Sequence, residues 1–302
     1  MAISVTGIFC AFLRGFHSEY ENPKIFDDPF GLRIIPDERI KLIKEGFVST
    51  VTQAASGMPE NEINSLILKI IQNMPAASQV LSRSSYAEER LEDFIDLGGP
   101  QYLIIGSGLD TFALRRVKER SLKIFEIDKP EMLAFKKEQV VRIQDRLPRN
   151  VEYIAADLSK DDLISALESS SFDRKEKAFV SMLGLIMYLT EDEISGLFKT
   201  LERLCSAGSV IAFDYFDEES RGEEKSSPRF RQMLEQGKFT GERFKSLLSE
   251  DEIGSLVKRY GFTLREHLSP EKIDELYFLN RGDDYRACEH VHFAAIEKLE
   301  NK

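Results

Sequence analysis

From Gln101 onward the chain alternates short apolar bursts with charged, amphipathic stretches, and few folds accommodate that rhythm. The bursts are QYLIIG, LKIFEID, VEYIAAD, AFVSMLGLIMYL and SVIAFDYF, and most are separated by helix-like segments such as Pro130 to Arg146 and Glu191 to Leu204. A strand buried on both faces reads as a continuous apolar run, so runs separated by helices predict βαβ units on a parallel sheet with helices on both faces. The tail adds a helix over Ser249 to Tyr260 stopped by Gly261, a strand near Phe262 to His267, and a last strand near His290 to Ile296.

Upstream of residue 97 the hydrophobic period is helical instead. Glu60 to Asn73 and Ser85 to Asp96 carry apolar residues three and four apart. Residues 1–97 are therefore expected to form a helical N-terminal cap on an α/β core spanning residues 98–302. Beyond Tyr215 the segment FDEESRGEEKSSPRF is polar and charged, which predicts an insertion over about residues 215–245 with a short helix near Arg229 to Glu235. This insertion and the segment around Asp27 to Pro36 are expected to close over a ligand at the sheet edge.

Charge and composition exclude several function classes. The formal net charge of −11 repels phosphate backbones, which argues against nucleic acid and anionic membranes as partners. The three cysteines, Cys10, Cys205 and Cys288, fit neither a disulfide framework nor a metal-binding pair, so a reducing, cytoplasmic setting and no metal site are expected. No apolar run reaches the roughly 18 to 20 residues that span a bilayer. Val5 to Leu13 lacks the basic flank and cleavage site of a secretory leader and is read as a packed helix.

The chemistry is concentrated in QYLIIGSGLDTFALRR, where a strand runs into Gly106-Ser107-Gly108 and then into helix-compatible sequence. Glycines allow a sharp turn and close backbone approach to a ligand, and the following helix start offers free N–H groups. The second strand ends in Glu126 and Asp128, placed about 20 residues downstream, where an acidic side chain accepts hydrogen bonds from ribose hydroxyls. Together these imply an adenosine-type ligand. A dinucleotide fingerprint asks for a third glycine where this chain has Thr111. S-adenosyl-L-methionine carries no phosphate and needs only the GxG turn, so the residues favour a methyltransferase over a nicotinamide oxidoreductase.

The succession IGSGLDTFALRR, FEIDKPEMLAFKK, AADL and MLGLIMYLTEDE, preceded by GIFCAFLRG and IFDDPFGLRIIP, resembles the leucine carboxyl methyltransferase family over most of the chain, in particular its bacterial branch acting on polyketides and other natural products. The resemblance implies a Rossmann-like class I methyltransferase with a mostly parallel seven-stranded sheet and S-adenosyl-L-methionine as cofactor. It puts Gly106 and Gly108 under the methionine moiety, Asp128 at the ribose with Glu126 close by, and Asp157 and Leu158 beside the adenine. It puts Arg83, and more loosely Arg14, at the cofactor's carboxylate. Two departures stand out. The family Glu five residues before Tyr188 is Leu183 here, and the arginine of its GLDTR turn is replaced by Phe112.

The implied reaction is methylation of a carboxylate or hydroxyl of a small-molecule acceptor. The alternatives are methylation of a protein's C-terminal leucine carboxylate and cofactor binding without turnover. The electrophile is the cofactor's own, so no dedicated catalytic motif is required. Candidate acceptor-side residues are Tyr188 and Tyr215, at the exits of the fourth and fifth strands, with Asp214 beside the latter. His290 is a further candidate, sharing a strand face with His292.

Overall fold

The structure is a computed structural model that describes residues 3–49, 58–116, 121–158, 161–220, 226–239 and 243–300. Helices α1 (Val5–Tyr20), α2 (Asp37–Ser49), α3 (Glu60–Gln72) and α4 (Pro75–Asp96) come first. Strands and helices then alternate as β1 (Gln101–Ile105), α5 (Phe112–Arg115), β2 (Lys123–Asp128), α6 (Pro130–Gln144), β3 (Val151–Ala155), α7 (Leu163–Leu167), β4 (Ala178–Met182), α8 (Glu191–Leu204) and β5 (Val210–Phe216). The order ends with α9 (Pro228–Phe239), α10 (Glu250–Arg259), β6 (Phe262–Leu268), α11 (Pro270–Tyr277) and β7 (Val291–Lys298). One seven-stranded sheet, β3-β2-β1-β4-β5-β7-β6, results, parallel except for β7, which runs antiparallel to both neighbours.

Strand alternation sorts the core into two layers. On one face Tyr102, Ile104, Ile124, Ala212, Phe216 and Phe293 pack with α1 to α6, α9 and α11. On the other, Leu103, Phe125, Ile127, Val180, Phe213 and Tyr215 pack with α7, α8 and α10. Helices α8 and α10 begin with reciprocal capping boxes, Thr190 with Glu193 and Ser249 with Glu252, which satisfy otherwise orphaned N–H groups and fix where each helix starts. The strand order reverses between β1 and β4, and the crevice beyond their carboxyl ends is where open α/β sheets gather ligands.

Three elements differ from the sequence expectation. Helix α4 begins ten residues earlier than Ser85, at a proline in the first turn. Its serines turn inward because Ser82 and Ser84 donate to the carbonyls of Ser78 and Val80, both at 2.7 Å. The burst AFVSMLGLIMYL is a strand only to Met182. There Gly184 takes φ +64° and the chain turns into a short 3₁₀ segment, Ile186–Tyr188, so Tyr188 lies one turn beyond the strand and not at its exit. Helix α11 was not anticipated; Ser269 caps it and Pro270 opens it.

Candidate active site

The glycine turn after β1 is tied to the end of β2. Gly106 and Gly108 both have positive φ, +74° and +48°. The N–H groups of Gly106 and Ser107 donate to the Ile127 carbonyl, and the Gly108 N–H donates to Asp128 Oδ2 at 2.7 Å. Asp128 also accepts from the Lys129 N–H at 2.8 Å. Burial pushes its carboxyl above the usual range, against the pull of those two N–H groups. Glu126 follows a different course. It is 1% exposed, and its carboxylate is taken by the equally buried Lys136 of α6 at 2.5 Å. Burial raises its pKa to about 7 in spite of that partner.

The N-terminal segment grips this turn from above. Asp28, fully buried, accepts from Arg14 Nε at 2.9 Å and from Thr111 Oγ1 at 2.6 Å, while Arg14 Nη2 donates to the Leu109 carbonyl at 2.8 Å. Thr111, the residue that replaces the third glycine, thus ties the turn to the DDP segment. Arg115 stands 3.7 Å from Asp28, donates to Thr111 Oγ1 at 3.1 Å, and forks onto Glu88. Arg115 thus brings a guanidinium to the turn from three residues beyond Phe112.

Arg83, on α4, is not a solvated helix charge. Its side chain is 12% exposed, and the guanidinium donates to the fully buried Asp214 at 3.1 Å, with Cys10 Sγ 3.7 Å from Nη2. Burial works against the charge, but Asp214 holds the pKa of Arg83 above its ordinary value. Asp214 further accepts from Gln79 Nε2 at 2.8 Å and from the Gly184 N–H at 2.5 Å. Gly184 packs directly on the guanidinium, where a Cβ would lie 2.6 Å from Nη2.

This cluster forms the floor of a cavity of about 460 Å³ enclosed by α1, α2, α4, α9 and the 3₁₀ turn. Its walls are apolar, with Phe9, Phe47, Met187, Phe216 and Phe244 among them, and Tyr188 stacks on Phe244 at 5.1 Å. Gln79, Cys10, Phe47 and Phe244 were not singled out by the sequence. Gln79 and Cys10 share a helical face with Arg83 and Arg14, four residues on, whereas Phe47 and Phe244 carry no such signal.

Other predicted residues lie elsewhere. Asp157 and Leu158 follow β3 at the same sheet edge, half-buried, with Leu158 resting on the apolar layer of the far face. Tyr215 does not line the cavity. Alternation along β5 turns Asp214 and Phe216 toward α4 and sends Tyr215 to the opposite face, where its hydroxyl meets His267 Nε2 at 2.8 Å. His290 also lies outside the cavity lining. It precedes β7 with φ +70°, and its Nδ1 and the Nε2 of His292 each stand 3.0 Å from one oxygen of Asp217. Burial opposes the Asp217 charge, yet the two histidines hold its pKa below the carboxylate range. Among the described residues no group of His, Cys, Asp and Glu has the arrangement of a metal site, and no helix is long and apolar enough to cross a membrane.

The chain is similar in sequence and in fold to known proteins. The leucine carboxyl methyltransferase family model matches residues 7–202. YktD of Bacillus subtilis, provisionally named an S-adenosyl-L-methionine-dependent methyltransferase, is 32% identical over 299 residues, 98% of each chain. A protein of Mycobacteroides abscessus bearing the same provisional name is 27% identical over 70% of this chain and 66% of its own length. In fold, a provisional methyltransferase of Thermobifida fusca superposes with a TM-score of 0.56, covering 80% of this chain and 89% of that one at 13% identity. A Streptomyces avermitilis protein of the DUF574 family also reaches 0.56, over 95% and 96% at 11% identity.

Proposed function

We propose, from the premise that the chain belongs to the leucine carboxyl methyltransferase family, that it methylates an oxygen of an apolar small molecule held in the cavity beside Arg83. The chain is an S-adenosyl-L-methionine-dependent methyltransferase. The acceptor is the open question, and one observation carries our answer: the cavity lining contains no Asp, Glu or His among the described residues. A neutral alcohol or phenol gains from a base that takes its proton, whereas a carboxylate is already ionised at neutral pH. The lining therefore favours a carboxylate acceptor over a hydroxyl. The largely apolar walls favour a small molecule over a peptide tail, whose backbone N–H and C=O groups would go unpaired there.

The turn fits the cofactor. Ser107 Oγ, between the two glycines, is buried without a hydrogen-bond partner in the structure, and a polar ligand would satisfy it. Gly106, Ser107 and Gly108 would hold the methionine part, Asp128 the ribose, and Asp157 with Leu158 the adenine. Glu126 is committed to Lys136, which leaves Asp128 as the ribose acceptor in this assignment. Arg83 would face the amino-acid carboxylate. Arg14 is engaged by Asp28 and Leu109, and we assign it to bracing the turn. The bound cofactor supplies an electrophilic methyl group on a sulfonium. The chain's own residues exclude water, position the acceptor oxygen and hold a positive guanidinium at the cavity floor.

Two measurements test this. Replacing Asp128 by Ala is expected to weaken S-adenosylhomocysteine binding by about 1 to 3 kcal/mol, read by calorimetric titration. An unchanged affinity would remove Asp128 from the site. Incubation with methyl-labelled cofactor and either small-molecule extract or cell protein is expected to label the small-molecule fraction, in a form that mild alkali releases as methanol. Alkali-stable label would mark an ether and hence a hydroxyl acceptor. Label on protein would return the leucine-carboxylate reading.

A further inference from the structure

We infer that Arg39 makes the cavity selective for an amphipathic anion, an acceptor with an apolar body and a negatively charged group at its outer end. The inference rests on the reading of this cavity as the acceptor site. Helix α2 presents Arg39, Leu42, Ile43, Gly46 and Phe47 to the cavity, the spacing of a single helical face. The outer end is marked by exposure. Leu42 is 65% exposed and Val5 53%, although both line the cavity, so the mouth lies between α2 and the start of α1. Arg39 stands one turn from Leu42 at that mouth, half-buried.

Among the described residues no carboxylate lies within ion-pair distance of Arg39, and its guanidinium sits 6.0 Å from the Phe135 ring on α6. The stretch 50–57 that follows α2 contains no Asp or Glu. Arg83, the other cation of the lining, has Asp214 as its partner at 3.1 Å. The position of Arg39 is also prepared. Arg142, further along α6, donates to the carbonyls of Arg33 at 2.6 Å and Ile35 at 3.2 Å, which anchors the chain just before Pro36 leads into α2. A guanidinium with no carboxylate partner among the described residues, held at the rim of an apolar cavity, adds little to the binding of a neutral hydrocarbon but supplies a charge-assisted hydrogen bond to an anion.

The test uses a fluorescent dansyl-undecanoate and its uncharged amide, titrated into the full chain with S-adenosylhomocysteine present. The wild-type protein is expected to bind the carboxylate about tenfold more tightly than the amide, the scale of a hydrogen bond to a charged group. R39Q is expected to abolish that preference while leaving amide affinity and melting temperature unchanged, and R39K to restore part of it. Equal binding of both probes to wild type, equal loss of both in R39Q, or binding of neither would overturn the inference. A separate S-adenosylhomocysteine titration reports on the methyltransferase reading itself, so failure of that reading is seen independently of the charge preference.

Discussion

Gly31→Ala is expected to destabilise the protein by about 3 kcal/mol, the upper range for overpacking, and to lower Tm by about 5 °C. Helix α1 and the chain before α2 meet backbone to backbone at Gly15 and Gly31. A Cβ on Gly31 would lie 2.5 Å from Gly15 N, 2.7 Å from its Cα and 2.8 Å from the Ala11 carbonyl oxygen. None of these is a side chain that swings aside. Separating the two segments to make room would also pull Asp28 away from Arg14 and Thr111, so cofactor affinity should fall with stability. Gly196→Ala, whose Cβ meets nothing within 4 Å on α8, is the control and should gain up to about 1 kcal/mol from helix propensity. Thermal unfolding of both variants checks the pair, and a Gly31→Ala protein as stable as wild type would contradict the close contact.

Asp214→Ala should be at least as damaging. The carboxylate is fully buried and accepts from three donors, Gln79 Nε2, Arg83 Nη1 and the Gly184 N–H. Its removal leaves a guanidinium without its counter-charge beneath the cavity, and breaking a buried pair from one side costs about 3 to 5 kcal/mol. Asp214→Asn keeps an acceptor oxygen but not the charge and should fall between. Denaturant unfolding gives the stability. A loss below about 1 kcal/mol in Asp214→Ala would mean that Arg83 finds another partner, contrary to the arrangement seen.

The layered α/β architecture was readable because β1, β4 and β5 are buried along their whole length and so appear as uninterrupted apolar runs. The same property hid which strand residues face the cavity. In a strand with one wet face polar residues mark the outside, but in β5 both parities are apolar apart from Asp214, and the packed structure separates Asp214 and Phe216 from Tyr215. Helix α8 matched its sequence bounds, Glu191 to Leu204, because Thr190 and Glu193 mark its start. The first half of α4 escaped because a face built from serine carries no hydrophobic period. Of the candidate site, the GSG turn and Asp128 were legible as a local pattern. The roles of Glu126 and Arg14 were not, since their partners Lys136 and Asp28 are chosen by the packing of helices on the sheet.

Strand β7 carries a consequence for how the chain is made. It pairs with β5 on one side and β6 on the other, yet it follows both in the sequence. During synthesis β5 and β6 emerge first with nothing between them, so each is an open edge with unpaired backbone groups until residues 291–298 arrive to fill the gap. The parallel part of the sheet can assemble while the ribosome is still at work, but β6 joins it only through β7. Premature termination before Val291 would therefore release a chain with two sticky edges, a substrate for chaperones and proteases and not a slightly shortened enzyme.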